Sequence, residues 1–266
     1  MNRLKNLVDK KRAEGEKMLS VFLTSGYPER NSTVPLVETV AAAGADFIEL
    51  GIPFSDPMAD GPTIQASSQT ALENGMTVSL LLQQVAKVRD RTNIPIVLMG
   101  YLNPLLKYGL AALVRDAENA GADAFIIPDL IPEEYARFAS AFETAAIGLN
   151  FLISPNTSRE RIQMVDALTH DFVYCVSVTG VTGAHRGVAD STISFLQRVN
   201  QTVRRPCLAG FGISSPEDAA AISRNCHGVI VGSAIIRRMA RNNESEKYLI
   251  RVGEFVSDLK EALRGA

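Results

Sequence analysis

The run Ile48–Gly61, IELGIPFSDPMADG, holds the densest set of chemically useful residues in the chain. Glu49 lies between Ile48 and Leu50 in a short apolar stretch that reads as a buried strand. Its side chain is expected to point into the interior. Removal from water disfavours a carboxylate, so the pKa of such a glutamate should rise toward the range useful for proton transfer. A loop follows with Ser55, Asp56 and Asp60, stiffened by Pro53, Pro57 and Pro62 and flanked by Gly51 and Gly61, which permit unusual dihedrals. Asp60 brings a second carboxylate to the end of the same strand. Together, Glu49 and Asp60 make paired acid–base work possible. The competing structural readings are a salt-bridged strand glutamate and an Asp-Gly turn.

A second set lies late in the chain. Three glycine-containing loops follow apolar runs: Thr179–Gly187 (TGVTGAHRG), Gly210–Ser214 (GFGIS) and Gly232–Ser233. Gly183, Gly212, Gly232 and Ser233 can present backbone N–H groups with little side chain in the way, as a phosphate site requires. Ser233 is also placed to cap a helix starting at Ala234. Ordinary turn chemistry is the competing reading. The pattern is neither a Walker loop nor a dinucleotide fingerprint, since the Lys of the first and the third Gly of the second are missing. Phe22, Tyr101, Tyr174 and Phe211 fall near strand ends, where they suit a flat apolar ring. The Tyr174 hydroxyl adds a polar group able to reach a substrate oxygen or Glu49.

Short apolar runs alternate with helical patterns along the whole chain. Eight runs read as strands buried on both faces: Met18–Thr24, Phe47–Leu50, Ile96–Met99, Ala124–Ile127, Leu149–Ile153, Phe172–Val176, Cys207–Ala209 and Gly228–Val231. Helical patterns occupy 34–43, 78–89, 110–120, 132–144, 158–168, 192–199, 216–224 and 234–241, with an extra amphipathic helix at 2–14 and a last outer helix at 246–263. Ala-Gly-Ala-Asp occurs twice, at Ala43–Asp46 and Ala120–Asp123, where glycine can end a helix before a strand. Eight βα units predict an α/β fold, a (β/α)8 TIM barrel with an extra N-terminal helix, as one domain over residues 1–266. A doubly wound sheet is the alternative, but no run carries the charge or proline of an edge strand. In the barrel, the C-terminal strand ends carry the active site, and the loops after strands seven and eight often hold phosphate.

The net charge of −2 and pI near 6.0 leave no basic excess for a nucleic-acid backbone. Three widely spaced cysteines and three scattered histidines give neither a disulfide framework nor a metal-ligand spacing, which fits a reducing cytoplasm. The charged N-terminus does not read as a signal peptide, and no apolar run reaches membrane length.

The Ile48–Gly61 run resembles the signature of the tryptophan synthase alpha chain family, a group of TIM-barrel lyases. The segments Gly180–Gly183, Gly210–Ser214 and Gly232–Ile235 are similar to three further motifs of that family, in the same order. The resemblance implies retro-aldol cleavage of indole-3-glycerol phosphate to indole and glyceraldehyde 3-phosphate. It implies that Glu49 moves protons at indole C3 and the glyceryl hydroxyl, and that Asp60 meets the indole N–H. Tyr174 assists near the substrate hydroxyl. Phe22 and Phe211 hold the ring, with Tyr101 as a further lining residue, and Gly183, Gly212, Gly232 and Ser233 bind phosphate. Thr182 lies on a closing loop and contacts Asp60, while Asp56 faces a partner chain. No metal or cofactor is implied for this chain. Pyridoxal phosphate belongs to the family's β subunit, which receives indole in an α2β2 heterotetramer. The alternatives are another phosphosugar barrel enzyme, a binding subunit with a decayed site, or a stand-alone indole-releasing enzyme. A Schiff-base aldolase is disfavoured, because no candidate strand has an internal Lys.

Overall fold

A computed structural model describes residues 2–143, 145–176, 190–210, 212–239 and 247–266. Among these residues, nine parallel strands form one sheet: β1 (Met18–Thr24), β2 (Phe47–Gly51), β3 (Ile96–Met99), β4 (Ala124–Ile126), β5 (Gly148–Asn150), β6 (Leu152–Ile153), β7 (Val173–Val176), β8 (Cys207–Gly210) and β9 (Gly228–Val231). The order is β5-β4-β3-β2-β1-β9-β8-β7-β6. The two ends of that list are the two halves of the expected fifth strand, interrupted at Phe151. The first half pairs with β4 and the second with β7. The barrel therefore closes through one interrupted strand, and eight βα units give nine strand segments.

Register fixes which side chains enter the barrel. Ser20 sits opposite Phe47 and Phe22 opposite Glu49. Alternate residues then share a face, so Met18, Ser20 and Phe22 lie on the same side of β1. Met18, Phe47, Val97, Ala124, Phe172, Tyr174, Leu208 and Ile230 pack into one interior cluster, with Phe47 and Phe172 rings 5.3 Å apart. Helix Arg3–Glu14 contributes Leu4 and Val8 to this cluster, closing the end where the strands begin. Asn2 caps that helix by accepting from the Lys5 N–H. The larger apolar layer, including Leu19, Val21, Leu23, Ile48 and Leu50, lies between the sheet and the outer helices.

The helices Val78–Arg89 and Leu110–Ala120 fall where the spacing predicts them, and Gly44 and Gly121 adopt positive φ at the repeated Ala-Gly-Ala-Asp. The expected helix over 132–144 is instead a 3-10 turn, Pro132–Arg137, and a single turn, Ser140–Glu143; Thr144 lies outside the described residues. In a continuous helix, positions 135 and 142 would be about 10 Å apart along the axis. The break brings the Tyr135 and Phe142 rings to 6.5 Å, and they pack on Phe151 and Phe125. Helices Pro62–Glu73 and Leu102–Tyr108 were not expected. The first buries Ser67 and Ser68 beside Ala71, so its inner face is only partly apolar. The second has Pro104 in its first turn, where a missing N–H costs nothing. No described helix is long and apolar enough to cross a membrane.

Candidate active site at the C-terminal mouth

Glu49 is fully buried on β2, on the barrel's inner face. Its Oε1 accepts a hydrogen bond from the Ser20 hydroxyl at 3.0 Å, while Oε2 has no partner among the described residues. No described Lys, Arg or His lies within ion-pair distance. Burial therefore dominates and pushes its pKa up to about 8, with the Ser20 bond pulling the other way. The salt-bridge reading of Glu49 does not hold among the described residues.

The loop after β2 is pinned to the barrel rather than merely stiff. The Phe54 N–H donates to Ser68 Oγ at 2.8 Å, and that hydroxyl donates back to the Phe54 carbonyl. Thr24 and Ser67 hydroxyls meet at 2.7 Å beside it. Tyr101, just after β3, donates its O–H to Asp60 Oδ2 at 2.9 Å and accepts the Ala59 N–H at 3.0 Å. Burial raises the Asp60 pKa, and the Tyr101 bond opposes the rise. Burial and the Asp60 charge push the Tyr101 hydroxyl upward, so it stays a donor. Tyr101, expected as a lining residue, thus also orients the second carboxyl. Gly61 has ordinary extended backbone and begins helix Pro62–Glu73. Gly51 is needed for space instead of dihedral freedom: a Cβ there would lie 2.5 Å from the Phe22 ring.

Phe22, Gly51, Met99, Tyr101 and Asp60 wall a small cleft that opens at the mouth. Glu49 is not on its wall and sits below, beside Phe22 in register. Across the barrel, Tyr174 on β7 is buried, and burial followed by the Glu49 and Asp60 charges raises its pKa strongly. Its hydroxyl occupies the place a Gly210 side chain would take. Gly232 lies beside Phe22, its ideal Cβ 3.3 Å from the Phe22 Cβ. Gly212 is exposed beyond β8. Helix Ser233–Met239 starts at Ser233, and the Gly232 carbonyl accepts from the Ile235 and Ile236 N–H groups. Ser233 is therefore the first helical residue and not the cap, a correction that leaves its own N–H at the open helix end. Thr182, Gly183 and Phe211 lie outside the described residues.

Sequence reading missed Ser20, Thr24, Ser67 and Ser68 as site-building residues. Ser20 had a usable signal: a hydroxyl two residues before Phe22, hence on the same inward face of an apolar strand. The serines of 62–73 had none, because their partners lie in another element.

A closed parallel barrel with two carboxyls at its C-terminal mouth, neither paired with a described cation, defines a (β/α)8 enzyme built for proton transfer. The family model described as tryptophan synthase alpha chain matches residues 8–264. Relatives named tryptophan synthase alpha chain are 42% identical in Geobacter sp. (strain M21), over 99% of this chain and 98% of that one, and 44% identical in Roseiflexus castenholzii, over 98% and 100%. The solved tryptophan synthase subunit alpha from Legionella pneumophila superposes with a TM-score of 0.93 at 34% identity, covering all of both chains. The chain belongs to the tryptophan synthase alpha chain family, and it is a lyase of tryptophan biosynthesis.

Proposed function

We propose that Glu49 and Asp60 carry the retro-aldol cleavage of indole-3-glycerol phosphate. The observation that supports this most directly is a fully buried carboxyl, raised to about 8, with one oxygen unpartnered among the described residues. At neutral pH such a group holds its proton and can deliver it to indole C3. The ring becomes an indolenine cation. The glyceryl hydroxyl then loses its proton to the Glu49 carboxylate, an aldehyde forms, and the electrons of the breaking C–C bond return to the ring. One proton is given and one received, so Glu49 ends as it began. Asp60, held by Tyr101, faces the indole N–H and offsets the cation. Tyr174 assists at the substrate hydroxyl, and Phe22 and Phe211 sandwich the ring. Gly183, Gly212, Gly232 and Ser233 hold the phosphate. These steps draw on no metal or organic cofactor in this chain.

The same reading pairs this single-domain, cytoplasmic subunit with a pyridoxal-phosphate β subunit in an α2β2 assembly that receives the indole. Supporting it, the loop ending at Asp60 exposes Asp56 and Met58, the latter 85% exposed. Leu106 and Ile131, on segments following β3 and β4, are exposed apolar residues at the same barrel end.

The test is release of glyceraldehyde 3-phosphate from indole-3-glycerol phosphate by the wild type and Glu49→Gln. The variant should lose roughly 10²–10⁴-fold in turnover while still binding substrate. Near-normal turnover refutes the assignment. Adding a β subunit should accelerate the wild type, and no acceleration by one that binds favours a stand-alone indole-releasing enzyme.

A further inference from the structure

We infer that Ser20 is a positioning residue for the acid–base carboxyl: its hydroxyl holds Oε1 of Glu49, leaving Oε2 as the oxygen that exchanges protons with substrate. The inference rests on Glu49 being the proton-transfer group.

Ser20 is fully buried, and it is a hydroxyl on the inner face of a strand whose other inward residues are Met18, Phe22 and Thr24. A buried hydroxyl is costly without a partner. Here the partner is Glu49 Oε1 at 3.0 Å. The two residues stand on adjacent strands at fixed offset, Ser20 opposite Phe47 and Glu49 opposite Phe22. Phe22 lies against Gly51, so the carboxyl has packed neighbours along both strands. A carboxyl rotates freely about its last bond unless one oxygen is tied. Tying Oε1 makes the two oxygens unequal. The tied oxygen accepts the serine proton, and the acid proton resides on Oε2, the atom with no described partner.

The bond also sets acidity. A donor to a carboxylate favours the ionised form and opposes burial, as it does here. Among the described residues, Tyr174 on β7 feels the charges of both Glu49 and Asp60, the latter from the loop after β2. The residues β1 and β3 present on the same face, Phe22, Val97 and Met99, are uncharged. Substituting Ser20 alters none of these groups, so a change in Glu49 isolates the hydroxyl.

The experiment compares wild type, Ser20→Ala, Ser20→Thr and Glu49→Gln. Turnover of indole-3-glycerol phosphate is measured against pH. The carboxylic-acid C=O band of Glu49 is followed by infrared difference spectroscopy, identified by its loss in Glu49→Gln. Ser20→Ala should raise the Glu49 midpoint by about one unit and carry the alkaline limb of kcat/KM upward with it. At neutral pH, kcat should fall about tenfold with KM within about twofold. Ser20→Thr, which keeps the oxygen, should restore both. Midpoint and rate profile in Ser20→Ala superimposable on wild type would overturn the proposal. Near-normal turnover by Glu49→Gln would instead overturn the reading of Glu49 itself, whatever Ser20 does.

Discussion

The two ends of the barrel handle buried carboxylates in opposite ways. At the closed end, Asp46 accepts the Leu19 N–H at 2.7 Å and pairs with Lys11 and Lys260 at 3.2 and 2.5 Å. Asp123 accepts the Ile96 N–H at 2.9 Å and pairs with Arg3 and Arg89 at 3.1 and 3.0 Å. These are the two aspartates of the repeated Ala-Gly-Ala-Asp, and each reaches back to the start of the preceding strand. Asp171 is tied to Asn150 and His170. At the mouth, the donors that Glu49 and Asp60 have among the described residues are hydroxyls, Ser20 and Tyr101. The paired carboxylates brace strands. Those lacking a cation hold their protons more tightly and are left able to trade them.

The largest expected contrast is at Glu49 itself. Beyond the loss of turnover, Glu49→Gln should change how stability depends on pH. The native pKa lies near 8, above the ordinary carboxyl value of 4.5. Between these values the folded chain binds a proton that the unfolded chain has released. Stability is therefore full below about 4.5 and falls as pH rises toward about 8, at roughly 1.4 kcal/mol per unit across the window. The glutamine variant lacks this slope. Urea unfolding at pH 5 and pH 8.5 should show its stability rising relative to wild type at the higher pH. Parallel stability curves would mean that Glu49 is ionised in the fold.

Asp123→Ala probes the other end. It strands the Arg89 guanidinium, already lowered to about 10 by burial and held up by Asp123. A destabilisation of about 3–5 kcal/mol is expected, because a buried charge loses its partner. Turnover per folded molecule should stay within about twofold. Lost turnover at unchanged denaturant midpoint would erase the distinction between the two ends.

Tyr101→Phe sharpens the contrast within the mouth. It removes the only described donor to Asp60 and the acceptor of the Ala59 N–H. A fall in kcat/KM of about tenfold is expected, the weight of one hydrogen bond to a charged group. Stability should shift by less than about 1 kcal/mol, since Ala59 is exposed and water replaces its acceptor. Unchanged kcat/KM would show that Asp60 needs no orienting partner.

Much of this arrangement is legible in the chain. All eight strand runs fall on observed strands, and the apolar flanks of Glu49 foretell its burial. What local pattern does not carry is partnership. The Tyr101–Asp60 bond spans 41 positions and the Ser20–Glu49 bond 29, and no periodicity encodes either. The serines pinning the loop look like surface residues until their partners are known. The interruption at Phe151 is hidden for a similar reason: the residue is as apolar as its neighbours, and the break follows from where β4 and β7 stand. Thr182, Gly183 and Phe211 fall outside the described residues, so their roles rest on motif alone.

That interruption also divides labour. A cut in the turn after Ile153 would leave a half-barrel ending in β6 and another starting before β7, with β1 and β9 still hydrogen-bonded at the opposite seam. The first half owns both carboxyls, their hydroxyl donors and the pinned loop. The second owns Tyr174 and the glycine-bounded strand ends. On the proposed roles, proton chemistry and anion anchoring come from different halves of the polypeptide. The first half lines the cleft by itself, but Tyr174 and the glycine-bounded strand ends reach it only from the second, so two separately produced fragments should have no complete site until they dock.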